Sequence, residues 1–100
     1  MRTVVFSPEA MAQLQQLHRY LSDAAGSGIA NRFTDALLLH CESLGIFPER
    51  AIRRDDIRSG LRLTQFRKRT VIAYAADTRQ VTVLGIFHGG QDYKSHMRDG

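Results

Sequence analysis

The chain has 100 residues, 43% of them hydrophobic and 24% charged, which is typical of a globular protein with one hydrophobic core. No apolar run approaches the roughly 18–20 residues that a membrane-spanning helix needs, so a helical membrane protein is excluded. The single cysteine, Cys41, excludes an internal disulfide and a cysteine-rich zinc site. We therefore expect one domain over residues 1–100, in the cytoplasm and away from membranes, with no metal and no cofactor.

The net charge of +4 is unevenly distributed. Residues 49–70 contain eight Lys and Arg against three acidic residues, whereas residues 1–48 have a net charge of −1 and residues 71–100 are neutral. Such a basic segment favours an anionic partner, either nucleic acid or an acidic protein. A solvated loop and strand edge would explain the same pattern equally well.

A short β-branched segment and a helical pattern open the chain. Residues 2–6 predict a strand. Ser7 and Pro8 then suit the N-cap and the first position of a helix. Apolar residues recur at helical spacing and predict its inner face: Met11, Leu14, Leu17 (or His18) and Leu21.

Residues 24–28 predict a five-residue turn, and residues 29–44 a second helix that forms an antiparallel hairpin with the first. Gly45 suits the end of this helix, because glycine is favoured just past a helix C-terminus. Its inner face is predicted to carry Ile29, Phe33, Leu37, Cys41 and Leu44. We expect a buried thiol at Cys41 and a structural histidine at His40.

The second half of the chain predicts strands. Residues 48–60 show no clean period and are predicted to be a loop, and three β-like runs follow at 61–66, 70–76 and 80–87. The connections between them have hairpin length. In the first run Leu61 and Leu63 are predicted to point inward, with Phe66 a further candidate, and Arg62 and Gln65 outward. The order β-α-α-β-β-β predicts an α+β fold, with a helical hairpin packed on a twisted antiparallel sheet.

The stretch LGIFHGGQDYKSH, residues 84–96, ends the predicted last strand and carries the groups with the most chemistry. Gly89 and Gly90 let the chain turn off the sheet. His88 and Asp92 could act as acid and base, with Tyr93 and Arg69 nearby if the strands align. Alternatively, Asp92 only hydrogen-bonds the glycine turn and His88 only anchors the sheet end.

Several stretches together resemble the ParE branch of the RelE/ParE toxin superfamily of type II toxin–antitoxin modules. They are VVFSPEAMAQLQQL, FPERAIRRDDIRSGLRLTQF, RKRTVIAY and VTVLGIFHGGQD, and they cover nearly the whole chain in the family's order. The resemblance implies the fold described above. It also implies a toxin that poisons DNA gyrase and is neutralised by a cognate ParD-like antitoxin, through which alone the complex contacts operator DNA. RelE-like relatives instead cut messenger RNA on the ribosome.

The resemblance and the charge distribution suggest a binding surface rather than a catalytic site. We expect the target-binding residues to be Arg62, Arg67, Lys68, Arg69, His88, Asp92 and Tyr93. If the chain were instead a metal-free endoribonuclease, the catalytic candidates would be Arg67, Arg69, His88 and Tyr93. Candidate antitoxin-binding residues are Leu14, Leu17, Leu21, Phe33 and Leu37. We also expect truncation after Phe87 to abolish toxicity without unfolding the protein.

Two other interpretations remain open at this point. The chain could be a decayed or solitary toxin that only binds an antitoxin. It could also be a generic basic nucleic-acid-binding domain, although only Phe66 lies near the basic segment and stacking platforms usually use several aromatic residues.

Overall fold

The helices and strands follow the predicted order, with one added strand and one added helix. The computed structural model describes residues 1–98 apart from the side chain of Arg50, so residues 99 and 100 of the predicted domain lie outside the described residues. The elements are β1 (Thr3–Phe6), α1 (Pro8–Ala25), α2 (Ser27–Ser43), β2 (Ile52–Arg53), β3 (Arg62–Phe66), β4 (Thr70–Ala76), β5 (Gln80–His88) and α3 (Tyr93–Met97). The predicted α+β class is confirmed.

Helix α1 begins as the sequence indicates. The Ser7 side chain accepts a hydrogen bond from the Ala10 N–H at 3.1 Å, and Pro8 occupies the first turn, where its missing N–H costs nothing. Ser7 also donates its backbone N–H to the Val83 carbonyl at 2.9 Å. The start of α1 is therefore fixed to β5 by the same residue that caps the helix.

Helix α2 departs from the prediction in its start and in its buried face. Gly26 alone separates it from α1, so the predicted five-residue turn is wrong. Ile29 is 48% exposed, because the buried row begins one position later. Thr34 fits this row because its hydroxyl donates to the Ala30 carbonyl at 3.1 Å. The buried row is Ala30, Thr34, Leu37 and Cys41.

Cys41 is buried, as predicted, and lies on the face of α2 that points into the core. Burial, with a smaller contribution from the neighbouring Glu42, raises the pKa of the Cys41 thiol to about 12. The thiol therefore stays protonated at neutral pH and behaves as a small hydrophobic group. The His40 ring packs against Phe66 with 5.4 Å between ring centroids, in keeping with a structural role.

The sheet has the strand order β1-β5-β4-β3-β2. Strands β3 to β5 pair antiparallel, as predicted, and β2 joins them antiparallel, whereas β1 pairs parallel to β5, so the sheet is mixed and not wholly antiparallel. The chain reaches this parallel arrangement because α1 and α2 carry it back across the sheet before β3 begins. The predicted loop at 48–60 is wrong in part, since it contains a 3₁₀ turn, Pro48–Arg50, and the edge strand β2.

Both faces of the sheet are covered. The α1–α2 hairpin packs on one face over a cluster that includes Leu37, Ile72 and Tyr74. Helix α3 and the loop around Ile57 cover the opposite face, where Met97 is buried beside Phe87. The residues predicted to point inward from β3 therefore lie on both faces of the sheet, because successive side chains of a strand alternate between its faces. Phe66 faces the helices, while Leu61 and Leu63 belong to the second cluster.

A glycine in β5 allows this second cluster to form. A Cβ on Gly85 would lie 2.5 Å from the Phe87 ring and 3.1 Å from the Met97 methyl carbon. The β4–β5 register is irregular at this point, because Ala73 pairs with Gly85 while Tyr74 pairs with Val83. The irregularity is a β-bulge. Bulges bend the strand that carries them, and this one lies a few residues before the end of β5.

Candidate functional site

The basic turn, Arg67–Arg69, joins β3 to β4 and lies beside the end of β5. Thr70 and His88 are register partners across the β4–β5 ladder. Gly89 donates its N–H to the Arg69 carbonyl at 2.8 Å. Antiparallel pairing therefore brings the basic turn next to His88, as the sequence predicted.

Arg67 is held in place by two aromatic rings. Its guanidinium carbon lies 5.2 Å from the centroid of Phe33 and 4.9 Å from that of Phe66, both within cation–π range. Its backbone adopts φ = 55°, a conformation uncommon for residues other than glycine. Stacking lowers the number of positions that this exposed side chain can take, so the positive charge is presented in a defined place.

His88 lies in the same aromatic group. Its Nδ1 is hydrogen-bonded to the Thr70 hydroxyl at 2.8 Å, and its backbone N–H donates to Gln91 Oε1 at 2.8 Å. The ring meets Phe33 edge-on at 5.9 Å and Tyr20 at 6.2 Å. Partial burial, and secondly the charge of Arg69, lower the pKa of His88 below its usual value of 6.5. Both effects favour the neutral imidazole over the imidazolium.

A cleft of about 290 Å³ opens between α1 and the end of β5, and is called the α1 cleft below. Arg69 reaches it across Gly89, whose φ of 67° suits glycine; a Cβ there would lie 3.3 Å from an Arg69 guanidinium nitrogen. The cleft is lined by Gln13, Gln16, Leu17, Tyr20, Arg69, Ile86, His88, Gly89 and Gln91.

Tyr93 and Asp92 lie apart from His88. Tyr93 is half-buried on the opposite face of the sheet, with its ring 6.2 Å from that of Phe87. Asp92 caps α3 by accepting from the Ser95 hydroxyl at 2.6 Å and the Ser95 N–H at 3.3 Å. These bonds to Ser95 lower the pKa of Asp92. Asp92 therefore caps a helix and does not make the alternative contact, a hydrogen bond to the glycine turn.

A second cleft, the α3 cleft, lies on the Tyr93 side of the basic turn. It has a volume of about 340 Å³, and Lys68, Arg69 and Tyr93 are among its lining residues. Arg69 thus borders both clefts, whereas His88 lines the α1 cleft and Tyr93 the α3 cleft. The four residues predicted for a ribonuclease are divided between two faces of the sheet.

Arg62 is distant from the other predicted target-binding residues. It lies at the opposite end of β3 from the basic turn. Its guanidinium donates to the Ala51 carbonyl at 3.1 Å and, more weakly, to the Glu49 carbonyl at 3.4 Å. Arg62 therefore fixes the segment before β2 and does not extend the basic turn.

Comparison with known proteins identifies the family. The family model for the ParE toxin of the type II toxin–antitoxin system parDE matches residues 4–93. The chain belongs to the ParE toxin family. No curated protein sequence gives a significant match.

Two solved structures share the fold of this ParE-family chain. A chain of the chromosomal ParDE system from P. aeruginosa superposes with a TM-score of 0.76 and 16% identity, over 89% of this chain and 97% of that one. A chain of the toxin–antitoxin complex RelBE2 from Mycobacterium tuberculosis gives a TM-score of 0.63 and 22% identity, over 87% and 96%. At these identities the likeness concerns the fold, and it extends to both branches of the superfamily.

Most of the residues predicted to bind an antitoxin are inside this ParE-family fold. Leu14 and Leu37 are buried under the helical hairpin, and Leu17 is 6% exposed and lines only the α1 cleft, so the three do not form a surface patch. Leu21 and Phe33 are half-buried. Large apolar side chains are instead exposed in β2 and in the segment that leads to it from α2, with exposed fractions of 55% for Ile46, 61% for Phe47 and 72% for Ile52.

Sequence reasoning missed the residues that α1 and the last loop contribute. Tyr20 and Gln13 line the α1 cleft from a helix that the sequence marks only by its apolar face. Gln13 Oε1 accepts the Ile86 N–H at 2.7 Å, a contact across 73 positions of sequence. An aromatic residue outside the predicted apolar face of α1, Tyr20, was a weak signal for such a surface.

Metal-binding clusters and membrane-spanning helices are both absent from residues 1–98. No group of three or more His, Cys, Asp or Glu side chains in this part of the ParE-family chain is placed to hold a metal ion. Within the same residues, no helix is long and apolar enough to cross a membrane.

Proposed function

We propose that this toxin acts by binding DNA gyrase through the basic turn and the adjoining α1 cleft, and that a ParD-like antitoxin neutralises it. The single observation that carries the gyrase proposal is the separation of His88 from Tyr93 by the sheet. A general base and a general acid must both reach the same reacting phosphate, within about 3 Å or through one water. Side chains on opposite faces of a sheet do not meet this requirement.

The charged groups on the His88 side suit a protein partner. Arg67 is stacked on two aromatic rings and presents its charge in a fixed place. Exposed arginine and aromatic groups in one patch are the residue types enriched where protein interfaces are strongest. We therefore propose Arg67, Arg69, His88 and Tyr20 as gyrase contacts, with Lys68 at their border.

The antitoxin contact is proposed at the other end of the molecule. Strand β2 is an edge of the sheet, and an edge strand leaves a row of backbone groups facing away from its neighbour. Ile52 lies in this strand and is exposed, and Ile46 and Phe47 are exposed in the segment that leads from α2 to it. An extended antitoxin segment that adds a strand beside β2 would cover Ile52. Leu21 and Phe33 remain candidates for a second contact.

Messenger RNA cleavage is the second candidate. The observation in its favour is the neutral His88 beside Arg69 in a cleft, since a neutral imidazole can take a proton and a guanidinium can stabilise a phosphorane. In that mechanism Tyr93 would have no part.

The test is a supercoiling assay with purified gyrase, run beside a primer-extension assay on ribosome-bound messenger RNA. We expect inhibited supercoiling or trapped cleavage complexes, with the messenger intact. The double variant Arg67→Ala, Arg69→Ala should lose inhibition. Arg79→Ala, which removes an exposed cation from the turn at the opposite end of the sheet, should retain it. Cleaved messenger RNA with unaffected gyrase would overturn the proposal.

The antitoxin contact is tested separately with the cognate antitoxin. Replacing Ile52 with Ser should weaken the complex while gyrase inhibition by the free toxin is unchanged. A complex of unchanged affinity would remove the β2 edge from the proposal.

A further inference from the structure

The α1 cleft has an unusual set of lining groups for its size. Arg69 is the one Lys or Arg among the described residues that line it, and no Asp or Glu in the described part of the chain does so. The cleft lies at the small end of the range of ligand sites, which begins near 300 Å³. It is therefore sized for one side chain or one small group.

Two of the three glutamines that border the cleft already use their carbonyl oxygen. Gln13 Oε1 accepts from the Ile86 N–H at 2.7 Å, and Gln91 Oε1 accepts from the His88 N–H at 2.8 Å. The NH₂ groups of these two carboxamides remain as donors for a ligand. The neutral donors and the Arg69 guanidinium together suit an anion.

We infer that the α1 cleft is a receptor for a side-chain carboxylate of the protein that the toxin attacks, with Arg69 as the charged donor and Gln91 and Tyr20 as neutral donors. The inference rests on the proposed function, because gyrase supplies the acidic side chain. A guanidinium binds a carboxylate through two parallel N–H bonds, which fixes both the position and the orientation of the partner.

The composition of the cleft favours an acidic protein side chain over a nucleic-acid phosphate. Proteins that follow a phosphate backbone use several cations along one groove, whereas this cleft has one. Its apolar lining, Leu17 and Ile86, offers a surface for the methylene groups of a Glu or Asp side chain.

The first arm of the test uses small probes and the full chain. Sodium acetate and inorganic phosphate are titrated separately at constant ionic strength, and the Arg69 Nε–H and His88 ring signals are followed by NMR. Acetate should produce saturable shifts at both residues. Arg69→Gln should weaken acetate binding by about tenfold or more, and Arg69→Lys by less, because lysine keeps the charge and loses the two-pronged geometry.

Three results would overturn the inference at this arm. Acetate shifts that do not saturate would do so, as would saturable shifts that are unchanged in Arg69→Gln. Saturable binding of phosphate without binding of acetate would make the cleft a phosphate site. Arg79→Gln serves as the matched control, because it removes one exposed cation from the opposite end of the sheet, and it should bind acetate as the wild type does.

The second arm measures direct binding to purified gyrase for the wild type and the same variants. Arg69→Gln should weaken binding by about tenfold or more, with Arg79→Gln within twofold of wild type. Acetate binding without any wild-type binding to gyrase would contradict the proposed function and this choice of partner, while the carboxylate site itself would stand. Gyrase binding that is indifferent to Arg69→Gln would overturn the inference and leave the proposed function intact.

Discussion

His88 is hydrogen-bonded to the neighbouring strand and also lines the α1 cleft. Thr70 fixes Nδ1, and the charged or titratable groups near the ring are Arg69 from the basic turn and Tyr20 from α1. Burial disfavours the charged imidazolium, and the positive charge of Arg69 disfavours it further. Both effects lower the pKa of His88, burial more than Arg69.

Replacing Arg69 with Gln should raise the pKa of His88 without restoring its usual value, because burial remains. The measurement is an NMR titration of the His88 ring between pH 4 and 8. The folded pKa of His88 is depressed, so the unfolded state binds the proton more readily. His88 therefore supports folding above pH 6.5 and ceases to do so as the pH falls through its folded pKa. In Arg69→Gln, the loss of folding stability caused by protonation of His88 should be smaller. A lower His88 pKa in the variant would contradict the assignment.

Asp56 supports the loop before β3 through Arg54. The two side chains form paired hydrogen bonds of 2.9 and 2.8 Å, and these lower the pKa of Asp56 from 3.8 to about 2. A depressed carboxyl pKa stabilises the fold above the unfolded value and ceases to do so as the pH falls toward the folded one. The pair is exposed, so the effect is small and weakened by salt.

Asp56→Asn should therefore lower the melting temperature slightly at pH 5, and the difference from wild type should disappear near pH 2. Thermal unfolding at low and high salt measures this. Arg54→Gln should reproduce the same pH dependence, and the double variant should add little. A difference that grows on acidification would show that another group is responsible.

Among the elements, α2 contacts the basic turn directly through Phe33. Phe33 contacts Phe66 edge-on at 5.4 Å, the His88 ring at 5.9 Å and the Arg67 guanidinium at 5.2 Å. The sequence predicted Phe33 as a core and antitoxin-binding residue, because helical spacing reports which face is apolar and not which strand end that face meets.

Phe33→Leu should cost about 1–2 kcal/mol in the free energy of unfolding, since aromatic pairs contribute about 0.5–1.5 kcal/mol each beyond buried area. Urea denaturation measures this cost. The Arg67 side-chain NMR signals should also report greater mobility. The matched control is Tyr20→Leu, which removes an aromatic side chain that is 60% exposed and should change stability by less than about 0.5 kcal/mol. Equal costs for the two variants would contradict the supporting role of Phe33.

At the scale of the whole molecule, the sheet has two apolar faces and α3 helps to cover the second. Met97 and Tyr93 pack over Phe87 from this helix. Truncation after Phe87 removes both side chains and exposes the cluster, so the expectation that it leaves the fold intact is withdrawn. The C-terminal stretch is part of the structure, and its role in toxicity must be tested with point variants.

Met97→Ala should therefore destabilise the whole protein by about 2 kcal/mol or more, as expected for a large-to-small change in a buried cluster. Circular dichroism and tyrosine fluorescence should report one common unfolding transition. Met11→Ala, at a position that is 40% exposed, should change stability little. If α3 melted before the sheet, the two probes would separate and the second cluster would be an independent unit.

The fold class, the order of the elements and the pairing that places the basic turn beside His88 were predictable from the amino-acid sequence. They follow from the N-cap at Ser7, from hydrophobic periodicity and from hairpin lengths, all of which are local properties of the chain. The separation of His88 from Tyr93 was not predictable, because it depends on a β-bulge in β5 and on how α3 packs against the sheet. The contribution of Gln13 to the cleft was not predictable either, because its contact with Ile86 joins residues 73 positions apart and local patterns do not encode such contacts.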